Sequence, residues 1–402
     1  MDLIKLLIVF IIIIILIKMR KPLYLSILVG AVVASILYNI GFSSTLKISF
    51  HSMTDRTTIT ILLSFYVITF LQRMLEKRGD LDLAQRSLNG LFNSRRVNAS
   101  LAPFFIGLLP SPGAVVIAGP MVDTACGDFF SKEDKAFITS YYRHIPESFL
   151  PTYSSIILAS QLTDVHMSMF ILGMIPIVIL LFVLGDIFYL KRLPKETGYE
   201  GSGNKKTDLL NLFKSLWTIT FTIVLILIFD LQVFTATLIT IFLSVIINKF
   251  RSTELKPMFI SAYDNRIMSS TVAVMIFKDI ITDTGVINEL PTLFNKLPIP
   301  TSIAFALIFL IGSIVSGANA IIALGVPMAF AAISNGGTPL LILLMSFAYA
   351  GMQISPTHVC LTIVTEYFDT SMVDLIKKTI PIITIFCILT IGYYLLLNRL
   401  IV

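Results

Sequence analysis

Charged residues are scarce in this sequence: Asp, Glu, Lys and Arg make up 13% of its 402 residues. Soluble domains carry about a quarter, so the shortage, together with 56% hydrophobic residues, argues against a soluble globular protein. The three cysteines form no CxxC pair, and we interpret them as small buried hydrophobes rather than disulfide or metal positions. The sequence also lacks GxSxG, HExxH and glycine-rich phosphate-binding motifs. These absences exclude the common hydrolase and ATPase classes.

Long apolar runs fill most of the chain instead. A helix needs about 20 mostly apolar residues to cross a bilayer, and the alternating pattern of a membrane β-barrel is missing. We therefore predict an all-α integral membrane protein. Basic residues follow the first run with no small-residue cleavage site, so it is predicted to remain as a span. The clearest runs cover residues 3–17, 23–40, 59–75, 167–190, 212–229, 233–247, 340–352 and 380–397.

The second half of the sequence repeats the first half at a single offset of 205 residues. We predict a first repeat over residues 1–190, a cytoplasmic linker over 191–210 and a second repeat over 211–402. The Gly-, Ser- and Lys-rich composition around residues 195–206 is typical of a linker. The offset superposes Gly107 on Gly312, Ser111 on Ser316, Pro151 on Pro356, Asp164 on Asp369 and Pro176 on Pro381.

Two apolar stretches, at about residues 97–122 and 298–333, are interrupted by proline and glycine. The second spans about 35 residues, which as one helix would be too long for a single crossing. The first contains Pro110-Ser111-Pro112-Gly113, through which no straight helix passes. Because irregular backbone at membrane depth must face protein or a water-filled cavity, we predict that both stretches are re-entrant hairpins.

The placement of basic residues tests this topology. With two re-entrant hairpins the chain has about ten full spans, and most Lys and Arg residues fall on cytoplasmic loops, as the positive-inside rule requires. The net charge of +6 is then topogenic, and no nucleic-acid partner is predicted. Both termini are predicted outside an inner (cytoplasmic) membrane. An odd number of spans per repeat gives the two halves opposite orientations, so the duplication is an inverted repeat.

Inverted repeats with discontinuous helices bind substrate where hairpin tips and helix breaks meet. Helix N-termini there favour anions, and unwound carbonyls favour sodium. The alternative is that the small residues only allow close helix packing. Proline also breaks two spans, the first between Ala136 and Leu162 at Pro146 and Pro151, and the second at its counterpart Gly351–His358. The predicted substrate-binding residues are Ser111 and Gly113 at the first tip, Ser316, Gly317 and Asn319 at the second, Arg143 and Thr152 in the first proline-broken span, and Thr357 and His358 in the second.

One tight ionisable cluster, Arg143, His144 and Glu147, lies inside an otherwise apolar stretch. Charges at membrane depth are costly and therefore point to function. Arg143 is the predicted counter-ion of an anion, and His144 or Glu147 the carrier of a coupling proton. Alternatively, Arg143 and Glu147 pair with each other and hold the break together. His144 and Glu147 have metal-ligand spacing, but no further ligand stands nearby in the sequence, so no metal site is predicted.

The arrangement resembles the ion transporter superfamily, which includes sodium–dicarboxylate symporters and gluconate, citrate, lactate and arsenite–antimonite permeases. The stretches 107–113 and 355–361 look most like an uncharacterised prokaryotic branch of unknown substrate. The resemblance implies an elevator mechanism within a homodimer. In the dicarboxylate members a Ser-Asn-Thr motif marks each tip, and Ser111 and Ser316 match its serine. The Asn-Thr pair is absent at both tips, so the resemblance alone does not imply the dicarboxylate substrate or its two sodium sites.

These observations predict a secondary transporter rather than an enzyme. It would move a small organic anion, driven by a sodium or proton gradient, with no organic cofactor and with membrane lipid around it. A cation/proton antiporter that uses Glu147 and His144 is the first alternative, and it conflicts with the positive charge of Arg143. An intramembrane enzyme is the second, and it has no need of matching hairpins in both halves. A channel is the third, although paired gates suit alternating access better.

Overall fold

Helices form the whole fold over the residues that the computed structural model describes, which are 2–19, 21–91, 94–108, 114–194, 204–289, 298–356 and 358–401. No strand occurs among these residues. The α-helices are α1 (Asp2–Lys18), α2 (Leu23–Leu37), α3 (Phe42–Thr54), α4 (Arg56–Arg78), α5 (Asp80–Leu91), α6 (Arg95–Ile106), α7 (Ala114–Cys126), α8 (Lys132–His144), α9 (Ser154–Gln161), α10 (Met167–Phe188), α11 (Lys205–Phe229), α12 (Val233–Ile247), α13 (Ser252–Ser261), α14 (Asn265–Asp283), α15 (Thr301–Ser316), α16 (Ala318–Ala332), α17 (Gly337–Met352), α18 (Val359–Tyr367) and α19 (Met372–Ile401).

Several helices have the length and composition of membrane spans. Within the described residues, α4, α10, α11 and α19 are each long and apolar enough to cross a bilayer. Shorter apolar helices include α2, α12, α15, α16 and α17. On α10, Leu172, Ile175 and Ile179 are exposed, which in a bilayer would place them against lipid tails. The prediction of an all-α membrane protein is confirmed.

The order of helices in the second half follows that in the first. Adding the sequence offset to the starts of α8 and α10 leads to the starts of α17 and α19, at Gly337 and Met372. Helix α11 begins at Lys205, where the Asn204 side chain accepts a hydrogen bond from Thr207 N (3.2 Å) and caps the helix. The linker over residues 191–210 remains a prediction. Residues 195–203 lie outside the described residues. The other repeat boundaries remain predictions.

The equivalent helices α10 and α19 run antiparallel to each other. The Tyr189 hydroxyl, just after α10, donates to the carbonyl of Lys378 in the second turn of α19 (3.4 Å). At the opposite end of the pair, the Tyr393 hydroxyl of α19 donates to the carbonyl of Gly173 in α10 (2.9 Å). Two helices related by the sequence offset therefore point in opposite directions.

Polar contacts distinguish the two ends of the molecule. At one end, which we call the Asp134 end, Asp134 pairs with Lys378 (2.9 Å) and with Arg192 (3.8 Å). At the other, the Asp230 end, Asp230 accepts hydrogen bonds from Ser168 (2.8 Å) and contacts His166 Nδ1 (3.2 Å). Helix α10 therefore runs from the Asp230 end to the Asp134 end, and α19 runs back.

The interrupted stretch of the first half folds back on itself as the hairpin α6–α7. Arg95, at the start of α6, donates to the carbonyl of Ala125 near the end of α7 (3.0 Å). Its neighbour Arg96 donates to the carbonyl of Lys191 (2.9 Å), so the hairpin opens toward the Asp134 end. The hairpin begins at Arg95 and ends at Cys126, close to the predicted range of residues 97–122.

The stretch of the second half forms the hairpin α15–α16. Gly312 faces Ile321 and Gly325 faces Phe309, which are contacts between two helices folded antiparallel about Gly317. A Cβ on Gly173 of α10 would touch Ile342 of α17, so α17 begins at the Asp230 end, directly after the end of α16. This hairpin therefore opens toward the end opposite to the first.

Both predicted broken spans contain a real interruption. Helix α8 ends at His144, a 3-10 turn covers Ile145–Ser148, and α9 starts at Ser154. Pro146 and Pro151 lie in this gap, where each removes a backbone donor. In the second half, α17 ends at Met352 and α18 begins at Val359. Most of the described residues in the two breaks are buried, so both breaks lie in the interior of the bundle.

Candidate functional site

The N-termini of two helices from different halves meet beside the second hairpin tip. Asn319, in the first turn of α16, donates from Nδ2 to Oγ of Ser154, the first residue of α9 (3.4 Å). Helices α9 and α16 pack against each other, and in the same way α7 packs against α18. Free backbone N–H groups and the positive ends of two helix dipoles therefore face one region, which favours an anion.

The backbone at the second tip takes a conformation that glycine supplies. Gly317 has φ 84° and ψ 155° and separates α15 from α16. The hydroxyl of Ser316, beside it, donates a hydrogen bond to the carbonyl of Gly312 in the same helix (2.7 Å). The proton of this predicted substrate-binding residue is therefore already hydrogen-bonded. Its oxygen lone pairs are left to accept. Asn319 is exposed, as a ligand-contacting residue must be.

The end of α6, at the first hairpin, is pressed against the first break. A Cβ on Gly107 would lie 2.0 Å from the carbonyl oxygen of Arg143, so no larger residue fits here without moving the backbone. The Tyr153 hydroxyl donates to the carbonyl of Gly107 (2.5 Å). The predicted tip residues Ser111 and Gly113 lie outside the described residues.

The second break is held against α15 by equivalent contacts. The Ser355 hydroxyl donates to the carbonyl of Ile314 (2.8 Å). A Cβ on Gly351 would lie 2.3 Å from the carbonyl oxygen of Leu310. The predicted ligand Thr357 lies outside the described residues. Each break is therefore fixed to the first helix of the hairpin in its own half.

Arg143, in the last turn of α8 next to the first break, is buried and paired. Its Nη1 lies 3.2 Å from Glu147 Oε2, and 2% of its side chain is exposed. The same nitrogen lies 3.6 Å from the Sγ atom of Cys360, in the second half. The sequence left open whether Arg143 and Glu147 bind ligand or each other, and the structure shows the pair between them.

The two breaks touch through a pair of histidines. His144 Nε2 lies 3.0 Å from His358 Nε2. His144 is fully buried, its Nε2 is 3.9 Å from Glu147 Oε2, and its Nδ1 lies 2.6 Å from the backbone carbonyl of Ser140. The ionisable cluster predicted in the first half is thus completed by residues of the second.

Other polar groups line the same region. Thr152, as predicted, lies in the first break, and its buried hydroxyl has no hydrogen-bond partner among the described residues. The hydroxyl of Ser313, in α15, is also buried and without a partner there. Sequence reasoning missed Tyr153, Ser154, Ser355 and Cys360. The pattern His358-Val359-Cys360 was a usable signal for the last of these.

A family model described as "Protein of unknown function (DUF401)" matches residues 3–397, which include both hairpins and both breaks. No curated protein matches the sequence.

Proposed function

Since the chain belongs to the DUF401 family, described as of unknown function, we propose its function from its geometry: secondary active transport of a small organic anion. The observation that best supports this proposal is the contact between Asn319 and Ser154, which brings the N-termini of α16 and α9 together. Two helix N-termini favour a carboxylate or phosphate group through their free N–H donors. The buried guanidinium of Arg143 lies at the end of α8, on the other side of the first break from α9. In this proposal it supplies the positive charge that binds the anion.

The arrangement of the halves supports alternating access. Equivalent helices α10 and α19 run antiparallel, and the hairpins α6–α7 and α15–α16 open toward opposite ends. In our proposal both hairpins are re-entrant among about ten full spans, as in the inverted repeats of other transporters. The site then lies near the middle of the membrane and is reached from one side at a time.

We further propose an elevator mechanism, on the resemblance to the ion transporter superfamily. The hairpins and broken spans would form the moving body, which the close contacts of Gly107 with Arg143 and of Gly351 with Leu310 would hold together. The remaining spans would form a scaffold within a homodimer in the inner membrane. The Asp134 end would face the cytoplasm, with both termini outside. Sodium at unwound carbonyls or a proton on His144 or Glu147 would couple transport to a gradient.

The pairing of Glu147 bears on the main alternative. A cation/proton antiporter needs a carboxylate that a cation can approach, whereas the nearest charge to Glu147 is Arg143 at 3.2 Å. That arrangement favours an anion at the site. An intramembrane enzyme would need a nucleophile or general base aimed at a substrate cavity, and a proton-coupled carrier needs neither.

The decisive experiment measures ligand binding and uptake with one protein. The purified chain is screened by thermal shift against mono-, di- and tricarboxylates and sugar acids, with and without sodium, and any hit is tested for uptake into proteoliposomes. We expect an organic anion to raise the melting temperature and to be accumulated under an imposed gradient. Stabilisation by alkali cations and by no anion would overturn the proposal in favour of the antiporter.

A further inference from the structure

We propose that the two helix breaks together form a binding site for a borderline-soft divalent cation of the Zn²⁺ class. Its ligands are His144 from the first half and His358 and Cys360 from the second. No part of the transport proposal requires this site. The sequence predicted none, because His144 and Glu147 have no further ligand near them along the chain.

The three ligand atoms are already close together. His144 Nε2 and His358 Nε2 are 3.0 Å apart, and all three ligand atoms of the cluster lie within 4.8 Å of one another. Two nitrogens on tetrahedral zinc stand about 3.3 Å apart, and a nitrogen and a sulfur about 3.6 Å, from the usual bond lengths. Small side-chain movements therefore suffice to bring the atoms into zinc geometry.

His144 is oriented as a metal ligand. Its Nδ1 lies 2.6 Å from the carbonyl oxygen of Ser140. A carbonyl only accepts hydrogen bonds, so Nδ1 carries the ring proton and the lone pair of Nε2 points toward His358. Metal-binding histidines are held in this way, with the non-ligating nitrogen bonded to a carbonyl or carboxylate. Without a metal, the same geometry makes a hydrogen bond from His358 Nε2–H to His144 Nε2.

Neighbouring charges suit a divalent ion with a thiolate. The guanidinium of Arg143 lies 3.6 Å from Cys360 Sγ and would stabilise the thiolate form, which is the metal ligand. Glu147 Oε2 lies 3.9 Å from His144 Nε2 and is in reach as a fourth ligand. Thiolate and carboxylate together match the charge of a divalent ion, and with the Arg143 guanidinium beside them the whole cluster carries one net positive charge.

The chemistry of the ligands selects the ion. Imidazole and thiolate favour zinc and its neighbours, whereas magnesium and calcium require oxygen ligands. Cys360 is 5% exposed and His144 is fully buried, so the ion would be taken up with little or no bound water. Because the ligands come from both breaks, the ion would also join the two halves at their point of contact.

The test is metal binding by the purified full-length chain, carrying an affinity tag without histidine. We expect Zn²⁺ to raise the melting temperature and Mg²⁺ to leave it unchanged, since a ligand of the folded state stabilises it. Co²⁺ in place of zinc should give the absorption of a cobalt–thiolate bond. Cys360→Ser and His358→Gln should each weaken zinc binding about 10- to 100-fold or more, and Cys360→Ser should abolish that absorption.

The chain supplies matched controls, because it has three cysteines and four histidines. Cys387→Ser and His51→Gln remove the same groups far from the breaks and should leave zinc affinity unchanged. If zinc does not stabilise the wild-type chain, or if bound cobalt shows no thiolate band, the site does not exist. The cobalt spectrum of the wild-type chain tests the proposed metal site even if a variant fails to fold. Anion binding is measured separately, so either proposal can fail without the other.

Discussion

Arg143 Nη1 lies 3.2 Å from Glu147 Oε2, across the point where α8 gives way to a 3-10 turn. With 2% of the arginine and 17% of the glutamate side chain exposed, the two opposite charges compensate each other where little water reaches them. The pair thus has a structural role that any role in binding must accommodate. Replacing Arg143 alone therefore changes both the site and the stability of the break.

We predict that Arg143→Ala lowers the free energy of unfolding by about 3–5 kcal/mol, because it leaves the partly buried Glu147 carboxylate without its guanidinium partner. The double variant Arg143→Met/Glu147→Gln should recover most of that loss, since both charges are removed together. Neither variant should be stabilised by the anion found in the ligand screen. Unfolding in mixed micelles of increasing denaturing detergent measures stability, and thermal shift measures binding. Retained anion binding in the double variant would show that Arg143 is purely structural.

Asn319→Ala should abolish anion binding while changing stability little. Its bond to Ser154 is long, at 3.4 Å, and exposed, so its loss should cost less than about 1 kcal/mol. Asn248→Ala is the matched control, because the Asn248 amide also donates to a serine hydroxyl (3.1 Å), at the end of α12. The control should keep full anion affinity. Equal effects of the two substitutions on binding would contradict the placement of the site at the second tip.

Gly317→Ala is predicted to destabilise the chain by about 1–3 kcal/mol, because its backbone region is nearly exclusive to glycine. A Cβ at this position would meet no atom within 4 Å, so the loss arises from backbone strain and not from a clash. In Gly392→Ala, the control in helix α19, an added Cβ also meets nothing within 4 Å, and alanine is the better helix former. That variant should be neutral or slightly more stable. Thermal melts of both variants test the pair.

The sequence was informative wherever a proline or glycine determines the local backbone conformation. Pro146 and Pro151 predicted an interruption, and the first break lies there, between the end of α8 at His144 and the start of α9 at Ser154. Gly317 marked the turn of the second hairpin for the same reason. Proline and glycine act on their own few residues, so their effect is readable without knowledge of the fold.

Contacts between the two halves could not be predicted from the sequence. Cys360 was interpreted as a small buried hydrophobe, yet its sulfur lies 3.6 Å from the Arg143 guanidinium, and His358 lies against His144. These pairs are separated by more than half of the chain. Their meeting depends on how two antiparallel repeats pack, which no local pattern encodes.

The last prediction concerns which end of the molecule faces the cytoplasm. In a cysteine-free background, His166→Cys marks the Asp230 end and Lys191→Cys marks the Asp134 end, and both residues are exposed. We expect a membrane-impermeant maleimide added to intact cells to label His166→Cys alone, and to label both variants once the membrane is opened. The physical reason is that Arg192, Lys378, Arg96 and Lys132 gather near the Asp134 end, and positive charge is retained on the cytoplasmic side. Labelling of Lys191→Cys in intact cells would reverse the orientation and place both termini inside.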